Sequence, residues 1–261
     1  MNLREYIEKE GGTAVFYRVV NNPKKSFLKF QEEDEQVRKE LVQAVYEKKV
    51  PEGVTVLVSD ISPYIGETEA VADKIASIVV LSNDPKRAER VMQEKKKQAQ
   101  EFRSKKLHFL KEDLNDWLEE VKRSGLVKGI ILRGDLVDLK RYPSKYSDID
   151  LILLLGFPGN NKGKWNQIKE VIKEIPTGCS VIEYEFNEKG FRGMSKTLKD
   201  IRGQWVEIQL ISFPDLVKYF DGLKKYIGEY VKANFSHARV LWQEENTASR
   251  FLKKVLGRIN D

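Results

Sequence analysis

The chain has 261 residues, 41% of them apolar and 33% charged, with a formal net charge of +6. That length suits one large domain or two modest ones, and the apolar content is enough for a substantial core. A lone cysteine, Cys179, excludes an intramolecular disulfide and a cysteine-rich zinc site, and no apolar run approaches the length of a membrane span.

His108 and His237 are the only histidines, which argues against a transition-metal site. The first residues are charged and amphipathic rather than a signal peptide, so a cytoplasmic protein with no membrane partner is expected. The wealth of Lys, Arg and Glu fits a thermophile's surface. The modest positive charge suggests an anionic partner.

In chain order, strands are expected over 13–20 and 27–30, a helix over 33–48, a strand over 54–59, and helices over 70–76 and 86–106. Together these form an α+β region, residues 1–106, with no assigned role. Asp60 follows an apolar run and reads as a strand-ending turn residue. Residues 86–106 hold nine Lys or Arg against three Glu. Such a run is more often a solvated helix face than a track for a nucleic-acid backbone.

Leu107, Leu110, Leu114, Trp117, Leu118 and Val121 fall at helical spacing, and Gly125 ends that helix. A strand over 127–132, a turn-rich loop and a strand over 149–155 follow. Trp165, Ile168, Val171, Ile172 and Ile175 mark another helix, stopped by Pro176. Strands over 181–186 and 204–212 are joined by a long connection, 187–203. That connection is basic, with Lys189, Arg192, Lys196, Lys199 and Arg202; a cleft cover over 190–193 is its lesser reading. A helix over 216–231, a short strand over 239–242 and a closing helix over 248–259 complete the chain. His237 has no acidic or cysteine companion at ligand spacing and reads as structural.

The segment 129–155 carries the chemistry. An apolar strand runs into Arg133-Gly134-Asp135, and after a basic loop Ser147-Asp148-Ile149-Asp150 runs into a second apolar strand. Side chains alternate along a strand, so Asp148 and Asp150 share a face. Two carboxylates beside a buried run cost free energy unless a cation lies between them, and a hard ion such as Mg2+ suits their oxygens. Gly134 permits close approach of backbone to phosphate, or is a plain tight turn. Lys140, Arg141 and Lys145 either hold an anion or are solvated loop cations. Tyr142 either stacks on a base or is an exposed loop tyrosine.

This segment resembles the signature of the DNA polymerase β-like nucleotidyltransferase superfamily. Gly134, the spacer 136–147 and Asp148/Asp150 match it in order and spacing. The element order over 107–261 also fits, which implies an α+β fold with a mixed sheet flanked by helices. Asp135 departs from the signature, standing where the superfamily usually has Ser. The resemblance implies that Asp148 and Asp150 hold Mg2+, with Mn2+ as a substitute. Arg133, Gly134, Asp135 and Ser147 would lie at the nucleotide. It also implies a third carboxylate on a later strand, which binds the ion and acts as base. Glu207 suits that role because it interrupts the apolar strand from Trp205 to Ile211, where a charge needs a partner. Glu183 and Glu185 are rivals, alternating with Ile182, Tyr184 and Phe186 as in a half-exposed strand. The implied activity is transfer of a nucleoside monophosphate from a triphosphate such as ATP to a hydroxyl, with release of pyrophosphate. RNA ends, protein side chains and small molecules are all acceptors within the superfamily. The alternatives are a degenerate member that binds nucleotide or nucleic acid without catalysis, and a nucleic-acid-binding module whose Asp pair is structural.

Overall fold

The computed structural model describes residues 1–22, 35–64, 73–145, 147–173, 177–185, 192–200, 205–214 and 235–257. The protein is mixed α+β and forms two compact units, Met1–Glu101 with Lys140–Ser144, and Phe102–Leu139 with Lys145–Asp261. The expected boundary after residue 106 falls inside a helix that the units divide after Glu101. The strand expected over 27–30 and the helix over 216–231 lie outside the described residues.

In the first unit, α1 (Leu3–Lys9) opens with a capping box: the Asn2 side chain accepts from the Glu5 amide, and the Glu5 carboxylate accepts from the Asn2 amide. Next come β1 (Thr13–Val20), α2 (Glu35–Val42), which widens into a π turn over Gln43–Glu47, and then β2 (Thr55–Val58) and β3 (Ile61–Tyr64). β4 (Asp73–Ser82) is the central strand, antiparallel to β1, β2 and β3. Ser59 bridges the jog between β2 and β3, because its amide donates to Ile78 O and its hydroxyl accepts from the Ile78 amide. The helix expected over 70–76 is corrected here, since 73–76 begin β4. The run Val79-Val80-Leu81 pairs on both edges, and that pairing outweighs the local alanine content. Leu3, Ile7, Phe16, Val37, Leu41 and Val79 pack together as the core of this unit.

The second unit takes up the chain from Phe102, and the single helix expected up to Gly125 is two. α3 (Pro85–Glu112) ends where the Asp113 and Leu114 amides both turn back to Phe109 O, and α4 (Asn115–Arg123) starts beyond them. Polar Asp113, Asn115 and Asp116 favour such a break, while buried Leu114 keeps the apolar spacing continuous through it. Then follow β5 (Val127–Arg133), β6 (Ile149–Leu155), α5 (Lys162–Lys173), β7 (Thr177–Glu185), β8 (Arg192–Asp200), β9 (Trp205–Ser212), β10 (Arg239–Gln243) and α6 (Thr247–Gly257). The six strands form one sheet in the order β10-β5-β6-β9-β8-β7. β6 and β9 are parallel and every other pair is antiparallel. The long connection expected over 187–203 is corrected by β8, which pairs with β7 and β9. Polar residues at alternate positions on both sides of β8 hid its period from the sequence.

The centre of this sheet is buried on both faces. Ile149, Leu151, Leu153, Val206, Ile208 and Leu210 point toward α4 and α5, where Trp117, Leu118, Val121, Trp165, Ile168 and Ile172 meet them. On the other face, Ile131, Ile152, Leu154 and Ile211 pack against Phe235 and against Ala248, Phe251 and Val255 of α6. No helix among the described residues is long and apolar enough to cross a membrane.

Candidate metal centre

The register of three neighbouring strands builds the site. Arg133 on β5 pairs with Asp150 on β6, and Asp150 pairs with Glu207 on β9. The three therefore form one row across the sheet. By the period of two, they lie on the face that carries Ile131, Ile152 and Gln209 one row further in. α6 covers the inner part of that face through Ala248, Phe251 and Val255. The outer part ends in acidic side chains, because Asp148 lies two residues before Asp150, just ahead of the strand.

Asp148, Asp150 and Glu207 each offer a carboxylate oxygen, and these oxygens lie within 4.8 Å of one another. Arg133 Nη2 stands 3.3 Å from Glu207 Oε1 and 3.9 Å from Asp150 Oδ1. The side chains are largely covered, with relative exposures of 10% for Arg133, 17% for Asp150 and 15% for Glu207. Burial pushes the Asp150 carboxyl well above the usual carboxylate range. Arg133 pulls it back, and the charges of Asp148, Glu207 and Asp135 raise it further. Carboxylates gathered this closely in a covered place favour a bound cation. The donors are all hard oxygens, the set that Mg2+ or Mn2+ takes, and among the described residues no His or Cys joins them. One row in from Glu207, Gln209 Oε1 is buried with no hydrogen-bond partner among the described residues.

Beyond Arg133 the chain enters a 3-10 turn over Gly134–Leu136. Gly134 has φ +79°, and a Cβ placed there would lie 1.9 Å from Asp150 Oδ2. The Val137 and Asp138 amides both donate to Gly134 O. Arg103 Nη2 donates to Asp135 O at 3.1 Å and to Asp138 O at 2.9 Å, which pins the turn from α3. Ser147 is buried, and its hydroxyl donates to Asp135 Oδ2 at 3.4 Å.

The structure thus brings together Arg133, Gly134, Asp135, Ser147, Asp148, Asp150 and Glu207. It separates the rivals for the third carboxylate by topology: Glu183 and Glu185 sit on β7, with β8 and β9 between that strand and β6. Lys140, Arg141 and Tyr142 belong to the first compact unit. There Tyr142 packs beside Ile78 and Met92, and Lys96 Nζ lies 5.4 Å from its ring centre. Lys189 and Arg202 lie outside the described residues, and Arg192, Lys196 and Lys199 are on β8.

Three residues at this end of the sheet were not apparent from the sequence. Arg103 was one cation in a basic run. Gln209 was an ordinary strand position. His237, read as lacking an acidic companion, has Asp138 Oδ1 3.7 Å from its Nε2. Only the pairing of β10 with β5, Arg239 opposite Leu132, draws His237 to the Gly134 end of β5. No protein-family model matches the chain, and no curated protein matches it.

Proposed function

We propose that the protein is a divalent-metal-dependent nucleotidyltransferase of the DNA polymerase β-like kind, acting through Asp148, Asp150 and Glu207. The observation that carries this is the convergence of those carboxylates on a single point, beside a turn where only glycine fits. The mixed sheet, with Asp150 and Glu207 on adjacent parallel strands and helices on both faces, is compatible with such a domain.

Asp148 and Asp150 would hold the ion where a nucleoside triphosphate is to bind. Bound there, Mg2+ would supply charge stabilisation at the transferred phosphorus and at the departing pyrophosphate. Glu207 would take part in holding the ion and accept the proton of the attacking hydroxyl. Gly134, free of a side chain, lets the turn approach the phosphates, and Arg103 keeps the turn in place. Ser147 engages the Asp135 carboxylate and so helps hold that charge in place beside the incoming anion.

The test is incubation with triphosphates labelled at the α or the γ phosphorus, with Mg2+ or Mn2+ and with cellular RNA, protein and small molecules as acceptors. Transfer of the α label with release of pyrophosphate is expected, and the labelled species identifies the acceptor. Retention of all label in the triphosphate, with protein that binds neither metal nor nucleotide, contradicts the proposal.

A further inference from the structure

We propose, on the basis of the metal-and-triphosphate role above, that Arg133 is a resident counter-ion. It would make the centre weak for a free divalent ion and strong for an ion that arrives with a polyphosphate. Arg133 occupies the same row as Asp150 and Glu207, and its guanidinium reaches both of their carboxylates. Its backbone is extended and paired in β5, so only the side chain can move.

A dication that approaches Glu207 and Asp150 meets the cation already there. It competes with the guanidinium for carboxylates whose charge both would neutralise. The guanidinium is only 10% exposed there, so two like charges held this close repel strongly. A polyphosphate removes that cost. Its oxygens accept from the planar guanidinium as well as carboxylates do, and often in pairs. Arg133 can then exchange carboxylate for phosphate in the same step that admits the ion. Metal and polyphosphate each favour the other's binding, and the coupling is reciprocal. The consequence is selectivity for the metal–triphosphate complex over free metal. A cell that contains abundant free Mg2+ would not lock the site closed.

The experiment measures Mn2+ binding by electron paramagnetic resonance. It uses parent, Arg133→Met and Arg133→Lys proteins, each with and without a triphosphate analogue whose α–β bridging oxygen is replaced by methylene. Without the analogue, Arg133→Met should bind Mn2+ at least about tenfold more tightly than the parent. Arg133→Lys, which keeps the charge, should stay close to the parent. With the analogue, the advantage of Arg133→Met should vanish or reverse. Equal or weaker free Mn2+ binding by Arg133→Met overturns the counter-ion role, as does a Lys variant that behaves like the Met variant. If Arg133→Met folds only with metal, refolding at Mn2+ concentrations below the parent's Kd supports the proposal. Failure to refold at concentrations that saturate the parent contradicts it. If no protein binds Mn2+ with or without the analogue, the metal role of the carboxylates fails, and that outcome is distinct from the others.

Discussion

Gly134 and Asp150 fit together with no room for one more carbon: a Cβ on Gly134 would lie 1.9 Å from Asp150 Oδ2. The turn that opens the loop and the carboxylate on the next strand are therefore mutually dependent. Gly134→Ala must move the carboxylate or the turn, and its φ of +79° adds backbone strain of about 1–2 kcal/mol. The variant should fold with reduced stability and bind Mn2+ with triphosphate at least about tenfold more weakly. Calorimetric titration beside a urea melt checks this. Unchanged metal binding would mean that the Asp150 position in the folded protein does not matter to the ion.

Asp150 gives a pH dependence with a definite sign. Burial, then the neighbouring Asp148, Glu207 and Asp135 charges against the relief from Arg133, holds its folded carboxyl above the usual range. Between the usual value and the raised one, the folded protein keeps a proton that the unfolded chain has lost. This contribution is full below about pH 4, the unfolded Asp value, and is lost as pH rises through the folded one, with a limiting slope of about 1.4 kcal/mol per pH unit. In EDTA, stability should fall with rising pH over that window, and Asp150→Asn should flatten the fall. Saturating Mg2+ should oppose it, because the ion needs the ionised carboxylate. Urea melts across pH with EDTA or Mg2+ measure both; an identical slope in Asp150→Asn would point to other groups.

Glu207 lies at the ion site and 3.3 Å from Arg133 Nη2. Glu207→Gln should lower kcat by about 100-fold or more with a smaller change in triphosphate affinity, as expected of a base. Glu183→Gln and Glu185→Gln, two strands further out, should leave kcat unaltered. Full turnover in the Glu207 variant would remove it from the proposed chemistry.

Asp135 is a charge that both Asp150 and an incoming phosphate would feel. Asp135→Ser should tighten triphosphate binding, and high salt should shrink the gain where the site is open to solvent. The same change lowers the Asp150 carboxyl toward its usual range. Weaker Mn2+ binding in Asp135→Ser would instead make Asp135 a ligand, and separate titrations of Mn2+ and triphosphate distinguish the two.

What was legible in the sequence was local. The continuous apolar run after Asp150 gave β6, Ile149–Leu155, with its observed bounds, and the spacing of Asp148 and Asp150 placed them on one face. Glu207 stood out as a charge inside an apolar strand. What was hidden depends on pairing between distant segments. The opposition of Arg133, Asp150 and Glu207 is a matter of register across three strands, which no local pattern encodes. β8 has too few apolar residues to show its period, and β4 shows an alanine-containing start whose strand form comes from its partners. Asp138 and His237 meet through the antiparallel return of β10, nearly a hundred residues away along the chain.

The most direct test is crystallographic: anomalous diffraction from a crystal grown with Mn2+ and the non-hydrolysable triphosphate analogue. An anomalous peak within bonding distance of Asp148, Asp150 and Glu207, with the phosphates of the analogue on the same ion, is the predicted result. An ordered analogue and manganese bound elsewhere, with Arg133 still spanning Asp150 and Glu207, would contradict the account.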